Sequence, residues 1–218
     1  MHIKGALNRI RRMASLHSWE GHSIDIWDRE YSTAFWSYLG GLEQMPRYAV
    51  IEGWRHRLKP TGRVLDLGCG EGVLLEQTHG TAAVDYTGVD FSQVAIDVAV
   101  TKIRDASIQR FVCADLVTFE PPPGAAFDVI VFNEVLYYLA DPRAVVRRYR
   151  TSLAPGGLMI VSIFHDNVGT WNAVSTMLAD QCLQTTVLHD GSSGKRWHLG
   201  LYGDRSSLVT RGGPLASS

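Results

Sequence analysis

Residues 64–72 read VLDLGCGEG, an apolar run interrupted by Asp66 and followed by glycines at positions 68, 70 and 72. An apolar run of this kind is typical of a buried parallel strand. Glycines directly after it allow a tight turn and let a ligand approach the backbone amides. In parallel sheets covered by helices, ligands bind at the carboxyl ends of the strands. The stretch therefore predicts a ligand site at a strand-to-helix turn.

Two ligands suit such a turn, a dinucleotide and S-adenosylmethionine. A dinucleotide fingerprint has the spacing Gly-X-Gly-X-X-Gly, and Val73 occupies the position of its third glycine here. The carboxylate of Asp66 would repel a pyrophosphate, whereas it suits the cationic amino-acid end of S-adenosylmethionine. Spacing and charge together favour the sulfonium ligand.

Strand-like and helical segments alternate from residue 63 onward, which is the pattern of a parallel sheet covered by helices. The sequence LQTTVLHD, the linker GSSGK and the sequence RWHLGLYG predict a hairpin, which places an antiparallel pair at the edge of the sheet. LAPGG (153–157) predicts a helix end followed by a tight turn. We predict strands at 63–67, 86–90, 108–113, 127–133 and 157–164, and helices at 71–79, 92–105, 142–153 and 169–180.

Composition is that of an ordinary globular chain: 218 residues, 45% hydrophobic and 20% charged, with a net charge of −1. The charge balance favours small-molecule partners over nucleic acid. No apolar run reaches the roughly 20 residues of a membrane span, and no signal peptide is visible. Three cysteines without metal-ligand spacing predict a reducing, cytoplasmic location.

The chain divides into three predicted parts. Residues 1–58 form a helical, aromatic-rich segment that could act as a lid, and they begin with a basic arm that contains Lys4 and Arg9. Residues 59–203 form the ligand-binding domain. Residues 204–218 are polar and small, which predicts a flexible tail.

Two further acids end predicted strands. Asp90 ends the second strand, where a carboxylate can accept both hydroxyls of a ribose, and Phe91 beside it offers an apolar surface for adenine. Asp115 ends the third strand near the expected adenine amino group, with Leu116 against the ring. An acid after the second strand also occurs in NAD-binding proteins, so Asp90 alone does not discriminate between the two ligands.

Five motifs, taken together, identify a family. VLDLGCGEG, YTGVDFS, FVCADL, FDVIVFNEVLYYLADP and LAPGGLMIVSIF occur in the order and at the separations of a class I S-adenosylmethionine-dependent methyltransferase. Residues 63–164 resemble that family, which implies a Rossmann-like, seven-stranded sheet with the strand order 3-2-1-4-5-7-6. The N-terminal segment and the hairpin resemble bacterial methyltransferases of polysaccharide or natural-product pathways.

The resemblance implies a cofactor site for S-adenosyl-L-methionine, with S-adenosyl-L-homocysteine as the product. It implies that Asp66, Gly68 and Gly70 cradle the methionine end and that Asp90 holds the ribose. It also implies that Asp115 and Leu116 hold the adenine, and that Asn133 and Glu134 line the pocket. Arg47 could meet the cofactor carboxylate, and Tyr31 could stabilise the sulfonium. The predicted cofactor-binding residues are Asp66, Gly68, Cys69, Gly70, Asp90, Phe91, Asp115, Leu116, Asn133, Tyr31 and Arg47.

Methyl transfer is a displacement at an activated carbon and needs no metal, so none is expected. The first candidate for a general base is His165, which follows the fifth strand, and the next are Tyr137 and Glu134. Many relatives have a histidine after strand four, where this chain has Tyr137 and Tyr138. Alignment of the reactants without any base is an equal alternative.

The predicted function is methyl transfer to the oxygen or nitrogen of a sugar-like or natural-product-like small molecule. Two other classes remain open. One is a non-catalytic protein that binds S-adenosylmethionine, and the other is an NAD-dependent oxidoreductase, which the glycine spacing disfavours.

Overall fold

The computed structural model describes residues 24–78 and 84–208, so the basic arm and most of the predicted tail lie outside the described residues. Seven strands form one sheet in the order β3-β2-β1-β4-β5-β7-β6, which confirms the predicted fold class. The strands are β1 (Val64–Leu67), β2 (Tyr86–Asp90), β3 (Gln109–Cys113), β4 (Phe127–Asn133), β5 (Leu153–Phe164), β6 (Cys182–His189) and β7 (Arg196–Gly203). The helices are α1 (Ile24–Ser32), α2 (Met45–Leu58), α3 (Val73–Gln77), α4 (Gln93–Ala99), α5 (Pro142–Arg150) and α6 (Val168–Met177).

The first five strands are parallel, and β1 lies at the centre between β2 and β4. β7 pairs antiparallel with both β5 and β6, as the hairpin prediction requires. The chain runs from β1 to β2 on one side and later reaches β4 on the other side. Strand order therefore reverses beside β1, which is the place where open α/β sheets bind ligands.

Side-chain alternation along β4 builds both faces of the core. Ile130 and Phe132 belong to one buried cluster, which includes Tyr149 of α5, and Val129 and Val131 belong to the other. Tyr48 and Ile51 of α2 contribute to this second cluster. Helices α2 and α5 consequently cover opposite faces, because successive residues of a strand point to opposite sides.

Side chains cap the starts of two helices. The Ser92 hydroxyl accepts from the Ala95 amide at 3.2 Å, and the Asp141 carboxylate accepts from the Ala144 amide at 2.9 Å. Pro142 occupies the first turn of α5, where its missing N–H costs nothing. These contacts fix the starts of α4 and α5, which follow β2 and β4 in the chain.

Some predicted boundaries differ from those of the structure. Helix α3 begins at Val73 rather than 71, because Gly72 adopts a left-handed φ of 73°. Helix α5 ends at Arg150, and β5 begins at Leu153, which pairs with Phe127. The segment LAPGG, predicted as a turn, is thus already part of an extended strand, since pairing with β4 outweighs the local turn preference.

Within the described ranges, none of the helices combines the length and the apolar character needed to cross a membrane.

Candidate functional site

A cavity of about 600 Å³ opens at the carboxyl ends of the central strands. Its floor is the turn after β1, and one wall is formed by the segments that follow β2, β3 and β4. The N-terminal residues 27–48 form the opposite wall, and the β6–β7 hairpin closes one end with Lys195 and Trp197. The volume lies in the range of ordinary small-molecule sites.

Glycine is required in the floor for two reasons. Gly68 has a φ of +75° and Gly70 a φ of +52°, in the left-handed region that other residues rarely adopt. A Cβ on Gly68 would also lie 2.5 Å from the Val135 side chain. The floor therefore brings bare backbone to the cavity, as the opening sequence predicted.

Asp90 fixes this floor from β2. Its Oδ2 accepts from the Gly70 amide at 2.9 Å, and its Oδ1 accepts from the Ser92 amide at 3.0 Å. Burial raises the pKa of Asp90 to about 6, although these hydrogen bonds oppose the shift. Each carboxylate oxygen has two lone pairs, so the buried carboxylate can still accept hydrogen bonds from a ligand in the cavity.

Asp66 lies in β1 and is buried beside the floor, but it is not one of the residues that line the cavity. The Tyr86 hydroxyl donates to its Oδ2, while its Oδ1 has no hydrogen-bond partner among the described residues. Burial raises the pKa of Asp66 to about 7, against the lowering effect of Tyr86. Asp66 thus stands behind the turn rather than at its surface.

Arg47 of α2 provides a buried cation in the cavity wall. Its Nη1 donates to Asn133 Oδ1 at 2.6 Å, and its Nη2 donates to Gln44 Oε1 at 3.0 Å. The guanidinium also stacks over the Tyr48 ring at 4.6 Å. Its Nε has no partner among the described residues. This buried cation of the cavity wall therefore keeps one donor that no described residue accepts.

Aromatic residues of the N-terminal segment cover the floor. Trp27 stacks on Trp36 with centroids 5.4 Å apart and meets the edges of Phe91 and Tyr138 at 5.7 and 5.0 Å. Both indoles are buried, and neither N–H has a partner within the described ranges. Such orphaned buried donors are rare in folded proteins, so they point to a ligand with acceptor groups.

The segment after β4 presents a carboxylate. Glu134 has a left-handed φ of 62°, which is unusual for a residue with a side chain. Its Oε1 accepts from the Ser162 hydroxyl at 2.7 Å and its Oε2 from the Tyr137 hydroxyl at 3.1 Å. Burial raises the pKa of Glu134, and Arg47 lowers it. The strained backbone therefore places in the cavity wall a hydrogen-bonded carboxylate that can accept a proton.

The remaining predicted cofactor residues also line the cavity. Asp115 caps the turn after β3, where its Oδ1 accepts from the Val117 amide at 2.8 Å, and Leu116 beside it is buried. Tyr31 reaches the floor, since its hydroxyl lies 3.1 Å from the point where a Cβ on Gly70 would stand. Cys69 is buried in the floor itself.

His165 is placed differently from the other predicted site residues. It follows β5 and lies outside the residues that line the cavity, although its neighbour Phe164 lines it. Its Nδ1 is 2.8 Å from Nε2 of His198, the two rings stack at 4.9 Å, and Trp171 stacks on His198. The imidazole is therefore paired with His198 and lies outside the cavity lining.

The fold thus brings together every predicted site residue except Asp66 and His165. Sequence reasoning missed the residues that close the hairpin end of the cavity: Glu43, Gln44, Phe164, Lys195 and Trp197. The one available signal was a lysine between a turn and an aromatic residue in the hairpin, which is too common to be diagnostic. Within the described part of the chain, no group of three or more metal-ligating side chains could hold an ion.

Comparisons with known proteins show the family and the fold of this chain. A family model described as a methyltransferase domain matches residues 42–211. A ubiquinone biosynthesis O-methyltransferase from Idiomarina loihiensis is 33% identical over 110 residues, which are 50% of this chain and 45% of that protein. The chain spans about half the length of the curated relatives that it matches.

Solved structures share the fold at low identity. The N-methyltransferase NodS from Bradyrhizobium japonicum, in complex with S-adenosyl-l-homocysteine, superposes with a TM-score of 0.64 at 22% identity and covers 78% of this chain and 91% of its own. The [4+2]-cyclase SpnF superposes with a TM-score of 0.57 at 16% identity, covering 73% of this chain and 81% of its own. At these identities the likeness shows the fold alone.

Proposed function

The chain belongs to the methyltransferase domain family, and from this premise we propose that it transfers a methyl group from S-adenosyl-L-methionine to a small molecule. The cofactor would lie on the glycine floor, and the acceptor would occupy the end of the cavity that the hairpin closes. S-adenosyl-L-homocysteine would be the second product. A sugar-like or natural-product-like acceptor with a reactive oxygen or nitrogen fits this role.

One observation supports the cofactor assignment most strongly. The cavity wall holds a fixed cation with an unused donor at Arg47 and a buried carboxylate at Asp90, with the glycine floor beside Asp90. An amino acid joined to a nucleoside needs both, because its carboxylate pairs with a guanidinium and its ribose hydroxyls donate to a carboxylate. Asp66, two residues before the floor, could attract the ammonium group electrostatically.

A dinucleotide fits the same wall poorly. Glu71, Asp90 and Asp115 all line the cavity around the floor. A pyrophosphate placed there would meet like charges at short range, which is unfavourable in a partly desolvated site. The aromatic cover of Trp27, Trp36 and Tyr31 is instead suited to a sulfonium, whose positive charge is stabilised by ring faces.

The reaction needs alignment first and a proton acceptor second. The acceptor atom attacks the methyl carbon, the carbon–sulfur bond breaks, and its electron pair remains on sulfur. We assign the departing acceptor proton to Glu134, with Tyr137 holding the carboxylate in place at 3.1 Å. A buried carboxyl with a raised pKa is a better base near neutral pH than an exposed one. His165 carries no step, since it lies outside the cavity lining.

The free cysteines support a reducing, cytoplasmic location. Cys113 and Cys182 are exposed and unpaired, and Cys69 is buried and unpaired. Disulfide-free cysteines are typical of proteins in reducing compartments.

Two measurements test the proposal. Calorimetry on the full chain should show binding of S-adenosylhomocysteine and no binding of NAD. A screen of hydroxyl-bearing and amine-bearing small molecules should then release S-adenosylhomocysteine from S-adenosylmethionine with at least one acceptor. Because the cyclase SpnF shares this fold, the transfer itself must be observed, and cofactor binding without any transfer would favour a non-catalytic binding protein. NAD binding without a response to the adenosyl ligands would overturn the cofactor assignment.

A further inference from the structure

Several hydrogen bonds to one side chain, that of Asp190, stabilise the β6–β7 turn. The Asp190 carboxylate accepts from the amides of Ser192 and Ser193, both at 3.1 Å, and from the hydroxyls of the same two serines. The Asp190 amide also donates to the Lys195 carbonyl at 2.8 Å. These bonds lower the pKa of Asp190 to about 2. A rigid turn of this kind presents the residue at its end, Lys195, in a defined place.

Lys195 enters the cavity from this turn. Its side chain is only 14% exposed, it lines the cavity, and its ammonium lies 5.8 Å from the centre of the Tyr38 ring. The partner of the ammonium is the carboxylate of Glu43, which belongs to the N-terminal wall and is 44% exposed. A largely buried cation is therefore paired with a carboxylate that solvent can reach.

Lys195 differs from the other charged residues that line the cavity in how firmly it is paired. The other cation of the wall, Arg47, already donates to Asn133 and Gln44. Glu134 is held by Ser162 and Tyr137. Among the described lining residues, Lys195 is thus the cation whose partner can swing away into water, because an ion pair with a half-exposed carboxylate is weak.

We propose that Lys195 binds an anionic group of the methyl acceptor, a carboxylate or a phosphate, and that Glu43 occupies the same ammonium until the acceptor arrives. The exchange replaces one carboxylate partner by another anion, so the buried cation is never left unpaired. This inference rests on the proposed function, since it assigns one end of the proposed acceptor site. Glu43 then acts as an internal competitor for the ammonium and lowers the affinity of the site for an anionic acceptor.

Small aromatic probes test the assignment without a known acceptor, because Tyr38, Phe164 and Trp197 give this end an aromatic wall. The probes are benzoate, phenyl phosphate and the neutral benzamide, titrated by ligand-observed NMR onto the full chain saturated with S-adenosylhomocysteine. We expect one of the two anions to bind about tenfold more tightly than benzamide. Preference for benzoate or for phenyl phosphate identifies the anionic group.

Two variants should shift anion affinity in opposite directions. Lys195→Gln should remove the tenfold preference, whereas Glu43→Gln should strengthen anion binding about threefold, because the competing carboxylate is gone. Arg196→Gln is the matched control, since Arg196 is the next residue of the hairpin, is exposed and does not line the cavity. It should leave all three probe affinities unchanged.

The outcomes separate this inference from the proposed function. Equal affinity of the three probes for a chain that binds S-adenosylhomocysteine would overturn the role of Lys195 and leave the cofactor site intact. An unchanged preference in Lys195→Gln, or an equal loss in Arg196→Gln, would overturn it as well. Absence of S-adenosylhomocysteine binding in the unmodified chain would instead contradict the proposed function itself.

Discussion

The glycine floor is built differently from the acceptor end of the cavity, the end that the β6–β7 hairpin closes and where we propose that the acceptor binds. In the floor, Asp90 binds the amides of Gly70 and Ser92, which lie 20 and 2 residues away in the chain. At the acceptor end, Lys195 meets Glu43 across 152 residues. The floor is thus made by the ends of neighbouring strands, whereas the acceptor end exists only when the N-terminal wall and the last hairpin meet.

The two regions also differ in burial. Asp66 and Asp90 are 2% and 5% exposed, and the floor is anchored to the central strands. On the N-terminal wall, Glu43 is half-exposed and Leu42 is 89% exposed. A buried, hydrogen-bonded site is rigid, while an exposed loop can adapt. We therefore expect changes in the floor to alter cofactor affinity, and changes at the acceptor end to alter turnover or acceptor choice.

The largest expected effect separates chemistry from cofactor binding. Glu134→Gln should lower kcat by about 10²- to 10⁴-fold, the usual contribution of a general base, while the affinity for S-adenosylhomocysteine stays within about threefold. The measurements are steady-state kinetics with an acceptor from the screen and calorimetry. Tyr137→Phe should lower kcat less, because the carboxylate remains. A Glu134→Gln enzyme with full kcat would show that alignment alone suffices.

The second effect concerns the floor. Asp90→Ala should weaken binding of S-adenosylhomocysteine at least tenfold, because charge-assisted hydrogen bonds contribute roughly 1.5 to 3 kcal/mol. Calorimetry measures the affinity, and circular dichroism verifies the fold. Asp180→Ala, a change at an exposed acid far from the cavity lining, is the control and should bind normally. If a folded Asp90→Ala variant keeps its affinity, the ribose lies elsewhere.

The third effect follows from the raised pKa values of Asp66 and Asp90, about 7 and about 6. Both carboxyls hold their protons longer in the folded chain than in the unfolded one, so the stability of the ligand-free protein should fall as pH rises from about 4 to about 7. Cofactor binding needs the ionised forms. S-adenosylhomocysteine should therefore bind about tenfold more weakly at pH 6 than at pH 8.

Asp66→Asn tests which carboxyl produces this pH dependence. Because Asp66 has the higher pKa of the two, the variant should bind more weakly at pH 8 and show a flatter profile between pH 6 and pH 8. Calorimetry across this range and urea unfolding of the free chain supply the data. An affinity of the unmodified chain that does not change with pH would mean that ionisation of these carboxyls does not contribute to cofactor binding.

The smallest expected effect is at His165, which is not one of the residues that line the cavity. His165→Gln should leave kcat within about threefold and the pH profile of kcat unmoved, because the imidazole pairs with His198 and does not line the cavity. Rates measured across pH 5 to 9 decide this. A loss of a hundredfold or more, with a shifted pH profile, would return His165 to the role of general base.

Much of the floor could be predicted from the sequence. Glycines at 68 and 70, acids at the ends of β2 and β3, and the capping residues Ser92 and Asp141 each leave a local signal. Such signals hold because a tight turn, a helix start or a strand end depends on residues that are close in the chain. Boundaries were less predictable, as the early start of β5 shows, since strand pairing overrides local turn preference.

Other assignments required the tertiary structure. His165 follows a strand that reaches the site. Only the folded chain shows that its Nδ1 lies 2.8 Å from Nε2 of His198 and that it does not line the cavity. Asp66 belongs to the motif but lies behind the turn. Proximity in sequence to a strand end predicts the region of a side chain, but its direction depends on packing against distant segments.

By itself, the sequence determined the sheet, its strand order through family resemblance, and the glycine floor, because these depend on periodicity and on short motifs at strand ends. Tertiary structure alone decided the acceptor end, where Lys195, Glu43 and Trp197 meet. A salt bridge across 152 residues has no local signature. It forms only after the core of the sheet has brought the N-terminal wall and the last hairpin together.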